Sequence, residues 1–140
     1  MLSRVLGNHT SVAVFDELHF FDEICPEPPN AVLSYSHAIG VASRLHVRAS
    51  RGYFARPLPN DFQDESKALV AGLIREGSIT PLGLYLRFCA IQTKESAKHL
   101  SCDHTPRNVH YLHYFKGVST AVRVINMIRD PRGVLLSQKR

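Results

Sequence analysis

Val122-Arg123-Val124-Ile125-Asn126-Met127-Ile128-Arg129-Asp130-Pro131-Arg132-Gly133-Val134-Leu135-Leu136-Ser137 reads as a strand, a tight turn and the start of a helix in one run. β-Branched residues over 122–128 favour extended backbone, and near-continuous apolar character suits a strand covered on both faces. Asp130 then caps a helix whose first position is Pro131. The carboxylate accepts free backbone amides there, and proline wastes no donor. A strand that feeds a helix in this way is the repeating unit of a parallel sheet. The same run sets Arg129 at the carboxyl end of the strand, beside a helix amino terminus. Backbone amides and the helix dipole favour an anion at such a place, and a guanidinium adds a bidentate contact. Ser137 follows on the same helix, about two turns from Pro131. On these residues alone a second reading stays open, in which Asp130 is only a cap, Arg129 a surface ion-pair partner and Ser137 a filler.

Earlier segments extend the alternation of strands and helices. Residues 11–15 (Ser-Val-Ala-Val-Phe) form a short apolar, β-branched strand, and 99–103 (His-Leu-Ser-Cys-Asp) a weaker one. Leu2 to Leu6 reads as a helix closed by Gly7-Asn8. Residues 36–49 have helical spacing, with Ile39, Ala42, Leu45 and Val47 as the apolar stripe. Asp61 or Asp64 is expected to cap a helix running to Glu76, with Ala68, Leu69, Gly72 and Leu73 inward. Thr80-Pro81 opens a longer helix toward Lys98, and Pro106 to Phe115 a short one ended by Gly117. The expected class is α/β, with strands near 11–15, 99–103 and 122–128 and helices packed around a parallel sheet.

The bulk composition sets limits. The 140 residues, 44% of them apolar, suffice for one core. A net charge of +5 favours anionic ligands without choosing among phosphate, sulfate, acidic glycan and nucleic acid. Cys25, Cys89 and Cys102 stand far apart, without metal-ligand or disulfide spacing. No run of about 18 apolar residues is present to cross a bilayer. The expectation is a soluble, cytoplasmic chain with no membrane partner.

Two further stretches carry chemistry. In Asp16-Glu17-Leu18-His19-Phe20-Phe21-Asp22, carboxylates and a histidine stand beside two aromatic rings directly after a strand. A carboxylate desolvated at such a strand end gains basicity. The plainer reading puts Phe20 and Phe21 in the core and leaves Glu17, Asp22 and Glu23 in water. Asp103-His104-Thr105-Pro106-Arg107 likewise follows a strand and opens a helix. In a parallel sheet such ends gather on the edge where ligands bind. His104 is one of eight histidines, none with trusted metal-ligand spacing.

Taken in order, these segments resemble the sulfotransferase superfamily, particularly its carbohydrate- and heparan-type branch and related bacterial enzymes. Ile125 to Ser137 resembles the strand-turn-helix that binds the 3′-phosphate of 3′-phosphoadenosine 5′-phosphosulfate (PAPS). The resemblance implies Arg129 and Ser137 as 3′-phosphate ligands, with Arg132 a further candidate. Glu17-Leu18-His19-Phe20-Phe21-Asp22 resembles the K-E-x-H-F-F-D segment, which implies Glu17 as catalytic base; Asp16 stands where the family has lysine. Asp103-His104-Thr105-Pro106 resembles E-K-T-P, with His104 as a partial substitute for its lysine. The family's P-R-S-G-T-T loop has no counterpart, and residues 1–9 resemble the helix that follows it.

The resemblance therefore implies a truncated, P-loop-like α/β sheet with flanking helices, residues 1–140 being a single partial sulfotransferase domain. For the full-length form it implies transfer of a sulfuryl group from PAPS, as co-substrate and without metal, to a hydroxyl or amine acceptor on a small molecule or glycan. A non-catalytic nucleotide- or anion-binding remnant, or a truncated gene product, is the alternative. Nucleic acid is not an expected partner, because no groove-reading helix or aromatic-basic stacking motif is recognisable. Self-association through exposed sheet edges is expected.

Overall fold

The structure, a computed structural model, describes residues 2–118 and 122–127. In chain order it contains α1 (Leu2–Gly7), β1 (Val12–Asp16), a π-helical turn (Phe20–Ile24), α2 (Tyr35–Arg51), α3 (Gln63–Glu76), α4 (Pro81–Glu95), β2 (Leu100–His104) and a 3₁₀ segment (Pro106–Phe115). β1 and β2 pair in parallel, with Val12 opposite Leu100 and Asp16 opposite His104. All three long helices lie in the connection between them. The fold is thus mixed helix and strand around a two-stranded parallel sheet.

The helices expected within the described residues form, and their ends show why; the helix expected from Pro131 lies outside the described residues. Ser34 caps α2, its Oγ accepting from the His37 amide. Gly52, at φ 88°, closes that helix in a conformation other residues rarely adopt. Thr80 caps α4 by accepting from the Gly83 amide, with Pro81 in the first turn. The expected cap of α3 by Asp61 or Asp64 does not form. Phe62 precedes the helix in the left-handed region, without a side-chain cap. Asp61 is instead held by both Arg51 terminal nitrogens, at 2.7 and 2.9 Å, and by the Leu58 amide at 2.7 Å. Charge-assisted bonds to a guanidinium outcompete a cap.

The core gathers between the helices and the loop that follows β1. Leu18, Phe20 and Phe21 from that loop are fully buried with Val41, Ala42 and Leu45 of α2, Leu69 of α3, and Leu84 and Phe88 of α4. On α2 the buried stripe includes Ala38 and Val41, while the expected Ile39 is only partly covered. On α3, Ala68 is exposed and Val70 takes the inward place. The shifts are of one and two positions, within the breadth of an amphipathic face.

The expected third strand at 122–128 is corrected over its described part. Residues 122–127 adopt no strand, and all six are exposed. β-Branched composition favours extended backbone, but a strand exists only where a neighbour takes its hydrogen bonds. Among the described residues, the sheet pairs β1 with β2 alone. Among the described residues, no helix is long and apolar enough to cross a membrane.

Candidate functional site

The carboxyl ends of β1 and β2 lie side by side, so Asp16 and His104 face each other across the ladder. Directly after β1 the chain turns sharply. Glu17 and His19 both take positive φ, 38° and 51°, which is uncommon for residues with a side chain. What holds them is burial and one long-range bond. Leu18, between them, has no exposed surface. The His19 amide donates to Thr105 Oγ1 at 3.2 Å, and that hydroxyl donates to Asp103 Oδ1 at 2.7 Å. Thr105, itself buried, therefore ties the loop after β1 to the loop after β2. Asp103 is fixed from its other side by Tyr85 Oη and Asn108 Nδ2, each at 2.9 Å from Oδ2. Burial, with the neighbouring Cys89 and Asp103, pushes the Tyr85 hydroxyl well above its ordinary value, keeping it a donor.

The π-helical turn gives this loop its second property. The amides of Glu23 and Ile24 both donate to the His19 carbonyl, at 3.1 and 3.2 Å. The turn sinks Phe20 and Phe21 into the core and brings Asp22 and Glu23 back beside the His19 ring. His19 Nδ1 sits 2.9 Å from Asp22 Oδ2, and His19 Nε2 sits 3.8 Å from Glu17 Oε2. A carboxylate on one ring nitrogen orients the imidazole and leaves the other toward Glu17.

Cations and a phenol from α2 and beyond complete the arrangement. Arg48 Nη2 donates to Glu23 Oε2 at 3.2 Å, Tyr53 Oη donates to Glu23 Oε1 at 2.7 Å, and the Arg48 guanidinium lies 4.5 Å above the Tyr53 ring. Arg107 reaches Asp22 Oδ2 at 3.4 Å. Burial alone raises the Glu23 pKa, but the bonds from Tyr53 and Arg48, with the charges of His19 and Arg48, hold it below its usual value. The bond to Glu23 in turn raises the Tyr53 hydroxyl. Ligand atoms of His19, Asp22 and Glu23 lie within 4.8 Å of one another, a spacing that a divalent cation could use. Here those carboxylates are met by Arg48, Arg107 and Tyr53 instead.

A cleft of ≈ 500 Å³ opens at this edge, walled by Arg4 of α1, Asp16, Glu17, Tyr53 and His104. Two of the expected site residues, Glu17 and His104, thus come together on one cavity. The plainer reading of the loop holds for Phe20 and Phe21 but fails for Asp22, whose side chain is 7% exposed while that of Glu17 is 48% exposed. Desolvation therefore falls on Asp22. Arg129, Arg132 and Ser137 lie outside the described residues. Arg48 and Tyr53 had no signal in the sequence, because their link to Glu23 spans 25 and 30 positions. Compared with known proteins, the chain matches no family model, no curated protein and no solved structure.

Proposed function

We propose that this chain carries part of a sulfotransferase centre on a P-loop-like sheet, transferring a sulfuryl group from PAPS to a hydroxyl or amine acceptor. The observation that supports this reading is the meeting of Glu17 and His104 in one cleft at the carboxyl end of two parallel strands. Ligands of α/β folds favour that edge. Glu17 has the exposure a base needs to meet an acceptor, and its backbone is pinned through His19 and Thr105.

In the proposed reaction the acceptor's oxygen or nitrogen attacks sulfur, and the bond from sulfur to the 5′-phosphate oxygen breaks. Glu17 takes the acceptor's proton, and 3′,5′-adenosine bisphosphate leaves. His104, on the opposite strand end, donates a hydrogen bond to the sulfuryl or leaving oxygen. Preorganised donors of this kind normally supply a large share of the rate. Arg129 and Ser137, with Arg132, bind the 3′-phosphate.

The test is a titration of the chain with 3′,5′-adenosine bisphosphate and with 5′-AMP at fixed salt. The bisphosphate is expected to bind about ten- to a hundredfold tighter, the worth of one charge-assisted phosphate contact. Arg129→Ala should erase that preference. Equal binding of the two nucleotides by the parent chain would sink the proposal.

A further inference from the structure

The cleft at the strand edge has a charge pattern of its own. Asp16 and Glu17 both line it, and both are exposed. They are consecutive, so two carboxylates stand on one wall with their Cα atoms about 3.8 Å apart. Arg4 of α1 is the single formal cation among the described lining residues. Asp16 and Arg4 form no ion pair among the described residues, and Glu17 meets only the His19 ring, at 3.8 Å. Arg48 and Arg107, from neighbouring elements, are engaged by Glu23 and Asp22.

On a chain of net charge +5 this cleft therefore reverses the sign, setting two carboxylates against one guanidinium. Over a Debye length, about 8 Å at physiological salt, such a wall repels an anionic acceptor and attracts a cationic one. The two carboxylates also differ in their work. Glu17 is taken by the acceptor's proton in the proposed reaction. Asp16 has no such task and stands opposite His104 across the ladder, between the two strand ends that form the centre.

We propose that the acceptor is an amino alcohol, its ammonium resting on Asp16 while its hydroxyl, a few atoms away, attacks sulfur. The hydroxyl oxygen bonds to sulfur, its proton passes to Glu17, and the bond from sulfur to the 5′-phosphate oxygen breaks. The ammonium keeps its proton throughout. Asp16 is thus a specificity residue, and the same wall rejects an acidic glycan. The role of acceptor rests on the sulfotransferase reading, but the binding preference needs no nucleotide. A small amino alcohol and an amino sugar share this chemistry.

The test is an NMR titration of the full chain, without nucleotide, with ethanolamine, ethylene glycol and glycolate, and with glucosamine against glucose in a second arm. Ethanolamine is expected to shift the amides of Asp16 and Glu17 and to bind about fivefold tighter than ethylene glycol, the upper range for a partly exposed ion pair. Glycolate should bind weakest. Asp16→Asn should keep the circular dichroism of the parent and remove the preference, and Asp16→Glu should retain it. A larger preference in the glucosamine arm assigns the site to an amino sugar, and a larger one in the ethanolamine arm to a small amino alcohol. Binding of the amines no tighter than that of their neutral counterparts, or a preference unchanged in Asp16→Asn, would overturn the inference even where the bisphosphate is preferred over 5′-AMP. A preference carried by Asp16 without that nucleotide preference would keep the amino-alcohol site and remove the sulfotransferase reading alone.

Discussion

At the scale of single residues, Thr105 and Glu17 divide the work of the strand edge between structure and chemistry. Thr105 accepts from the His19 amide and donates to Asp103. Thr105→Val keeps the shape but leaves both partners unsatisfied, which should lower stability by about 1–3 kcal/mol. Thr105→Ser should restore most of it, and urea unfolding of the three proteins makes the comparison. Glu17 is more exposed and touches less, so Glu17→Gln should leave the melt unchanged. If the proposed chemistry holds, Glu17→Gln lowers sulfate transfer by about 10²–10⁴-fold while nucleotide binding persists. Full transfer activity in Glu17→Gln would remove it from the role of base. The thiols differ for a similar reason. Burial and the neighbouring Glu27 push Cys25 up to about 12, and burial raises Cys89 further. Cys102, half-buried at the sheet, is shifted less, and alkylation followed by mass spectrometry should label it first.

At the scale of elements, local chemistry was readable wherever a helix end carried its own signal. Thr80-Pro81 marks α4 by the groups it satisfies, and the structure uses it so. Asp61 and Asp64 have equally good cap chemistry, yet Asp61 was taken by Arg51, ten positions away. No local rule contains that competition. Thr80→Ala should therefore cost about 1 kcal/mol, within the usual range for a lost cap. Asp64→Ala, at a side chain 97% exposed, should change stability by less than about 0.5 kcal/mol. A loss at Asp64 as large as that at Thr80 would contradict the observed start of α3. The π-helical turn was likewise illegible, since its widened hydrogen bonding answers to burial of Phe20 and Phe21 and not to any residue preference.

At the scale of the whole molecule, composition located strands at 11–15 and 99–103, and the alternation of strands with helices implied a parallel sheet whose carboxyl ends share one edge; which strands pair was not legible, and the structure pairs these two. The strand expected at 122–128 met no neighbour over its described part, and so composition misled. Val122, Val124, Ile125 and Met127 are exposed, as is Leu100 on β2. We expect concentration-dependent self-association through such surface. Light scattering should show it, and Val124→Lys with Ile125→Lys should reduce it. Acid is a second stress. His46 has a folded pKa below its ordinary 6.5, so the unfolded chain binds the extra proton. Its contribution is present above about pH 6.5 and is lost as pH falls toward the folded value. Glu23 and Glu27, both lowered from 4.5, add losses as pH falls through the carboxylate range. The melting temperature should decline in two stages below neutrality, and His46→Gln should flatten the first.

The bond from His19 to Thr105 joins positions 86 apart in the chain, and this separation orders events in time. The helices between them can pack from nearby contacts as they emerge, whereas the loop bearing Glu17 must wait for its anchor. At about 5–20 residues per second, that interval lasts several seconds during synthesis. Until it ends, two left-handed residues have nothing beyond their neighbours to hold them. The candidate catalytic edge is thus written early in the chain and assembled late.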